Sequence, residues 1–397
     1  MHASKRLSYI GVSPTMKVSA KAKKMKSEGI EVIDLSVGEP DFPTPGNIKE
    51  AAKHAIDDNR TKYTINVGLP ELREAIANKL KRDNNLDYSI SEIVVSSGAK
   101  QSLFNTILSM IYVGDELIIP APYWVSYPHM VSIAQGETVT INTEEENGFR
   151  VTPEQLESAV SPFTKGILIC NPSNPTGSAY SKKELEELIE VLDGKEIYII
   201  ADEIYEKLVY DDYKFVSIAS FSEKIKRKTV VINGVSKAYS MTGWRIGFAA
   251  GPEEIIGGIN KIQSHSTSNA SSISQYAAIE AFNGPQEDVE KMRVEFQKRR
   301  NFIYDALTSI PNITCYKPNG AFYLFPNISS YLGKSYGKYK INNSVDLAMY
   351  LLESAEVAAV PGSAFGSEGF IRVSFATSLQ NLELAFKRIQ EALMQLS

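Results

Sequence analysis

Five short polar or aromatic stretches each follow an apolar run: Ser97-Gly98-Ala99-Lys100, Pro122-Tyr123-Trp124, Asn174-Pro175, Asp202 with Tyr205, and Ser236-Lys237. Lys237 lies between the apolar runs that start at Thr229 and at Ile246. It is either a solvated loop lysine, the common fate of lysine, or an amine held against buried strands. Desolvation lowers the pKa of such an amine and makes it a nucleophile. Asp202 ends an apolar run, where an unpaired charge is costly. A protonated ring nitrogen would satisfy it. Gly98 opens a helix whose free N–H groups and dipole favour an anion such as phosphate. Trp124 offers its face to a flat ring, and Arg245, eight residues beyond Lys237, is a candidate second phosphate ligand. Phosphate, flat ring, cationic ring nitrogen and an amine-reactive carbonyl together describe pyridoxal 5′-phosphate.

Arg372 alternates with apolar residues in Phe370 to Ala376. It is either a surface residue or a buried clamp whose planar guanidinium holds a carboxylate at two points, as an amino acid substrate needs. Other cofactor sites lack their signatures. No G-x-G-x-x-G follows a strand, and there is no G-x-x-x-x-G-K-[ST], no G-x-S-x-G and no H-E-x-x-H. No metal is expected.

The elements that must position these residues alternate. Apolar runs at 93–95, 116–119, 166–170, 197–201 and 229–232 read as strands, with helices at 101–110 and 182–192. Near-continuous apolar strands separated by helices mean a mostly parallel α/β sheet buried on both faces, which binds ligands beyond its carboxyl ends. Earlier helices are expected at 47–56 and 70–83. Three prolines between Pro40 and Pro45 forbid helix and give a stiff extended crossing. After Pro285 the pattern changes to a long charged helix at 286–308, then Ala321 to Phe325, a helix at 345–354, strands at 357–360 and 370–376, and a closing amphipathic helix. This reads as a smaller α+β domain. The expected division is a large domain over 46–285 and a discontinuous small one over 1–45 and 286–397.

Composition excludes several classes. With 397 residues, 43% hydrophobic, 22% charged and a formal net charge of -5, the chain suits two folded domains and has no basic excess for nucleic acid or acidic lipid. Cys170 and Cys315 show no C-x-x-C spacing, so a reducing compartment is the simpler reading. The N-terminal MHASKRLSYIG lacks an apolar h-region, and no apolar run reaches membrane-spanning length. A cytoplasmic location is expected.

Eight motifs then carry a resemblance: SVGEPDFPTP from Ser36, KYT from Lys62, SGAKQSL from Ser97, APYWVSYP from Ala121, NPSNPTG from Asn171, DEIY from Asp202, SKAYSMTGWRIG from Ser236 and RVSFA from Arg372. Through them the chain resembles, over essentially its whole length, the class I aminotransferases of the fold-type I pyridoxal-phosphate family. Within it the likeness is strongest to gamma-type aspartate aminotransferases, which include enzymes that also accept prephenate. The resemblance implies a mostly parallel seven-stranded sheet flanked by helices. It implies an aspartate/glutamate:2-oxo acid aminotransferase of amino acid biosynthesis, with prephenate (arogenate-forming) transamination as the alternative. Lys237 would hold the cofactor covalently and shuttle a proton at the substrate Cα. Asp202 would keep the ring nitrogen protonated, Tyr205 and Asn174 would bond the ring oxygen, and Trp124 would stack on the ring. Gly98, Ala99, Lys100, Ser236 and Arg245 would hold the phosphate. Tyr63 would reach the phosphate of a neighbouring subunit, which implies a homodimer. Arg372, with Gly38, Trp124 and Asn174, would bind the substrate. Pro122 and Pro175 match positions often preceded by cis bonds. Gly234 stands where alpha-type relatives have a phosphate-binding serine. Lys17, in the segment Ile10 to Lys17, is a candidate for the distal carboxylate.

Overall fold

The computed structural model describes residues 14–397 together with residues 4, 10 and 11. Most of the basic N-terminal stretch, and Val12 and Ser13 of the segment leading to Lys17, lie outside the described residues.

The expected apolar runs pair into one seven-stranded sheet. Its spatial order is Ile93–Ser96, Gly247–Ala250, Thr229–Gly234, Tyr198–Asp202, Thr164–Cys170, Glu116–Ala121 and Glu137–Asn142. All neighbours are parallel except those of Gly247–Ala250, which runs antiparallel to both of its partners. That strand follows the Lys237 loop directly, and without a crossover helix only an antiparallel return is open to it. Alternate side chains serve opposite faces. Val94, Leu168, Ile200 and Ile232 pack with Leu103 and Ile107 on one face. Ile118, Ile167, Ile169 and Ile199 pack with Leu185 and Leu188 on the other.

The helix Lys182–Leu192 starts where a Ser181–Glu184 capping box satisfies its first N–H groups. Glu137–Asn142 went unread as a strand because it is an edge with one wet face, so its residues alternate instead of running apolar. The helices Ser126–Ile133, Pro153–Ala159, Glu253–Ser264 and Ser272–Asn283 likewise were not anticipated.

A second, three-stranded antiparallel sheet joins Val360–Pro361, Ile371–Ser374 and Tyr323–Leu324. The N-terminal chain adds to these C-terminal elements. Ile33–Asp34 pairs with Val357–Ala358, and the Ser374 N–H donates to the Leu35 carbonyl at 2.8 Å. The proline-rich segment then crosses to the helix Gly46–Asp57, held on the way by Arg299 on Asp41 at 2.7 Å and by the Thr44 hydroxyl on the Ser240 carbonyl at 2.7 Å. The Ala121–Pro122 bond is cis, as implied. The second cis bond is Asn171–Pro172, not the one before Pro175. The chain turns at the first proline after the strand, and Asn174-Pro175 follow in a loop closed by the Gly177 N–H on the Ser173 carbonyl at 2.9 Å.

Candidate active site

The carboxyl ends of the sheet, the proline-rich segment and Ile371–Ser374 enclose a cavity of about 580 Å³. Lys237 follows the strand Thr229–Gly234 and projects into it. Its Nζ donates to the Gly38 carbonyl at 2.6 Å. Burial first, then the nearby Arg372 charge, lowers its pKa to about 8. The loop lysine is therefore a desolvated amine, part neutral near physiological pH.

Asp202 ends the neighbouring strand and is 4% exposed. Its Oδ2 accepts the Tyr127 hydroxyl at 2.6 Å and its Oδ1 accepts the Ile204 N–H at 3.3 Å. Among the described residues it has no salt-bridge partner, and burial pushes its carboxyl up to about 6. A carboxylate so placed awaits a cation. Tyr205, three residues on, is buried and shares a 2.9 Å hydrogen bond with the Tyr323 hydroxyl.

Arg372 is buried, so the surface reading fails. Its Nη1 donates to Asn174 Oδ1 at 2.9 Å and its Nη2 to the Ser36 carbonyl at 2.7 Å. The guanidinium lies 4.4 Å from the Tyr323 ring centroid and 5.1 Å from that of Phe365. Its Nε is buried without a partner among the described residues, and burial lowers its pKa. Carbonyl and amide oxygens orient this cation, but no carboxylate among the described residues neutralises it, which leaves it open to an anion.

An anion cradle lies at the start of the helix Ala99–Met110, whose first N–H groups lack intrahelical acceptors. Gly98 has φ +88°, and a Cβ there would sit 2.3 Å from Arg245 Nη2. Arg245 itself is in the left-handed region, and its Nη1 is held by the Thr242 carbonyl at 2.8 Å. Behind the cradle, a Cβ on Gly247 would meet the Ala99 nitrogen at 2.1 Å. Gly234 faces the Gly247 Cα and the Ile246 carbonyl, each 2.8 Å from an added Cβ. This close backbone approach leaves no room for a side chain at Gly234.

Lys237, Asp202, Tyr205, Asn174, Trp124, Ala99, Lys100, Ser236, Arg245, Arg372 and Gly38 all line the one cavity. Gly98 adjoins it through Arg245. Two expected residues stand apart. Tyr63 is 92% exposed. Lys17 is exposed and does not line the cavity, whereas Ser19, two residues on in the helix Pro14–Ser27, does. Lys17 points to solvent because its neighbour Val18, 1% exposed, takes the buried face.

Sequence reading missed Tyr127, Tyr323, Ser36 and Glu39. Tyr127 had a signal: it is one helical turn beyond Trp124, and the two rings meet edge to face at 5.3 Å. Tyr323 had only the strand alternation of AFYLF.

The group that best fits this donor set has an anion for the helix start, a flat face for Trp124, a cationic nitrogen for Asp202 and a carbonyl for Lys237. Pyridoxal 5′-phosphate meets all four, and the buried Asp202, without a salt-bridge partner among the described residues, is the feature that asks for it.

The family model described as aminotransferase class I and II matches residues 30–389. The chain is 50% identical over 389 residues to an aspartate aminotransferase of Geobacillus stearothermophilus, covering 98% of each chain. It is 48% identical over 392 residues to a probable aspartate/prephenate aminotransferase of Rickettsia conorii, again covering 98% of each. The crystal structure of an aspartate aminotransferase from Rhizobium meliloti superposes with a TM-score of 0.97 at 46% identity, covering 100% of both chains.

Proposed function

The chain belongs to the class I and II aminotransferase family, and from that premise we propose that it moves an amino group between aspartate or glutamate and a 2-oxo acid, with pyridoxal 5′-phosphate at Lys237. The observation that carries this reading is the meeting in one cavity of Lys237, of Asp202 without a salt-bridge partner among the described residues, and of Arg372 with an N–H left on each Nη.

Bound there, the cofactor would supply a carbonyl that captures the amino group and a ring that accepts the electrons released when the substrate Cα loses its proton. The rest is the work of this chain. Asp202 would hold a positive charge on the ring nitrogen, with Tyr127 keeping the carboxylate oriented. Tyr205 and Asn174 would donate to the ring oxygen. The backbone N–H groups of Ala99 and Lys100, with Ser236 and Arg245, would hold the phosphate beside Gly98, which leaves the Lys100 side chain free for another role. Arg372 would grip the substrate α-carboxylate, together with the backbone at Gly38. Lys237, part neutral at a pKa of about 8, would take the proton at the substrate Cα and return it.

Substrate charge follows from the lining. Lys100, Lys237, Arg245 and Arg372 oppose only Glu39 and Asp202. Lys100 Nζ lies 4.6 Å from the Trp124 ring centroid and has no carboxylate partner among the described residues. We assign it the second carboxylate of a dicarboxylic substrate, in place of Lys17. Relatives named for aspartate and for aspartate and prephenate, both diacids, support the same choice and keep prephenate as a second substrate.

We further read the chain as a large unit over 46–285 and a small one over 1–45 and 286–397, brought together at the cavity. Tyr63 and Ile65, exposed at 92% and 50%, fit a surface covered in a homodimer. No helix among the described residues is long and apolar enough to cross a membrane, and both thiols are free. The two free thiols suit a reducing, cytoplasmic setting.

An amino-donor and oxo-acid panel tests the reading. Aspartate and glutamate should far exceed alanine as donors. Lys100→Met should raise KM for diacids about tenfold while leaving alanine unchanged. Equal losses for mono- and dicarboxylic donors would remove Lys100 from this role. The ratio of kcat/KM for prephenate and oxaloacetate decides the second activity.

A further inference from the structure

Behind the Asp202–Tyr205 turn is a group of buried charges that does not line the cavity. Lys79, 2% exposed, pairs with the Glu206 carboxylate and donates to Asn84 Oδ1 at 2.7 Å. Asn84 Nδ2 donates to the second Glu206 oxygen at 2.7 Å. Lys207 pairs with Asp83 at 2.8 Å. The helix Pro70–Asn84 thus grips the turn at two consecutive residues. On its other side the Ser217 hydroxyl donates to Glu203 Oε1 at 2.6 Å.

The charges balance only if Glu203 is neutral. Its Oε2 has no partner among the described residues, and burial, with Glu206 and Asp202 nearby, raises its pKa well above the usual carboxylate range. Tyr88, whose hydroxyl is also unpartnered, and Ser217 are its other polar neighbours. Lys79 is then left to Glu206. Such a pair is expensive to desolvate and adds little stability over an apolar filling. What it adds is direction. The Glu206 N–H donates to the Glu203 carbonyl at 3.0 Å and the Leu208 N–H to the Tyr205 carbonyl at 2.8 Å. The Asp202 carboxylate is tied into the same turn through the Ile204 N–H. Any displacement of Glu206 therefore reaches Tyr205 and Asp202 through one hydrogen-bonded turn.

We propose that Lys79, acting through Glu206 and Asn84, is a positioning residue that fixes Asp202 and Tyr205 against the cofactor ring. The proposal rests on the cofactor reading above. Its test is the pH titration of the visible absorbance of cofactor-loaded protein, with kcat, KM and Tm, for Lys79→Met and for the double variant Lys79→Met/Glu206→Met. Lys79→Met leaves Glu206 unpaired and should lower Tm. The double variant should recover Tm, because both charges are gone. In both, the absorbance midpoint should rise by about half a pH unit, since a ring cation held less firmly repels the proton at Lys237 less. In both, kcat should fall about tenfold with KM little changed. Asn84→Ala removes one bond from each partner and should shift the midpoint in the same direction, which keeps the test alive if Lys79→Met does not fold. A double variant with the midpoint and kcat of the unaltered protein would overturn the proposal and leave Lys79 a purely structural residue. An unaltered protein with no visible band would overturn the cofactor reading, and this proposal with it.

Discussion

Arg372 Nη1 lies 2.9 Å from Asn174 Oδ1, so one hydrogen bond joins the C-terminal sheet to the loop that follows the strand Thr164–Cys170. A residue from each part of the chain is thereby fixed in the same cavity. Nη1 and Nη2 each make one hydrogen bond among the described residues, so each has a second N–H left for a carboxylate. Arg372→Lys keeps the charge but loses the two-point grip. Removing such charge-assisted bonds costs about 2–3 kcal/mol, so steady-state kinetics should show KM for amino acids rising roughly 30- to 150-fold. Cofactor affinity should stay near that of the unaltered protein.

Asp202 gives the cofactor-free protein a pH signature. Burial raises its carboxyl from 3.8 to about 6. Between those values the folded chain holds a proton that the unfolded chain has lost. The associated stability is fully present below pH 3.8 and is lost as pH rises through about 6. At pH 7.5 the cofactor-free protein therefore carries a penalty on the order of 3 kcal/mol at most. Urea unfolding of cofactor-free Asp202→Asn should show it more stable than the unaltered protein at pH 7.5, with the gap closing towards pH 4.

The cradle depends on backbone contact at Gly247, where a Cβ would meet the Ala99 nitrogen at 2.1 Å. Gly247→Ala must push apart the strand and the start of the helix proposed to hold the phosphate. Equilibrium binding should show pyridoxal 5′-phosphate affinity falling at least about tenfold. Gly257→Ala is the control. It sits in the helix Glu253–Ser264 with open space around its Cβ position. There alanine should leave binding unchanged and add about 0.5–1 kcal/mol of stability.

Much of this was legible in the chain. Strands buried on both faces announce themselves as apolar runs, and their polar ends named Lys237, Asp202, Asn174 and Trp124 without any view of the fold. The burial of Arg372 was not legible, because exposed and buried strand arginines alternate with apolar neighbours in the same way. Tyr323 escaped notice because its partner, Tyr205, is 118 residues away. Lys17 misled because sequence shows a charge but not which helix face carries it. Lys79 looked like any other lysine of an amphipathic helix, and only its contact with Glu206 sets it apart.

The most direct measurement is to reduce the cofactor-loaded protein with borohydride and map the modified peptide by mass spectrometry. The pyridoxyl group should be found on Lys237 and on no other residue, and Lys237→Ala should carry none and lose nearly all turnover. Modification at another lysine, such as Lys100, or full turnover by Lys237→Ala, would contradict the assignment of Lys237 as the residue on which this site is built.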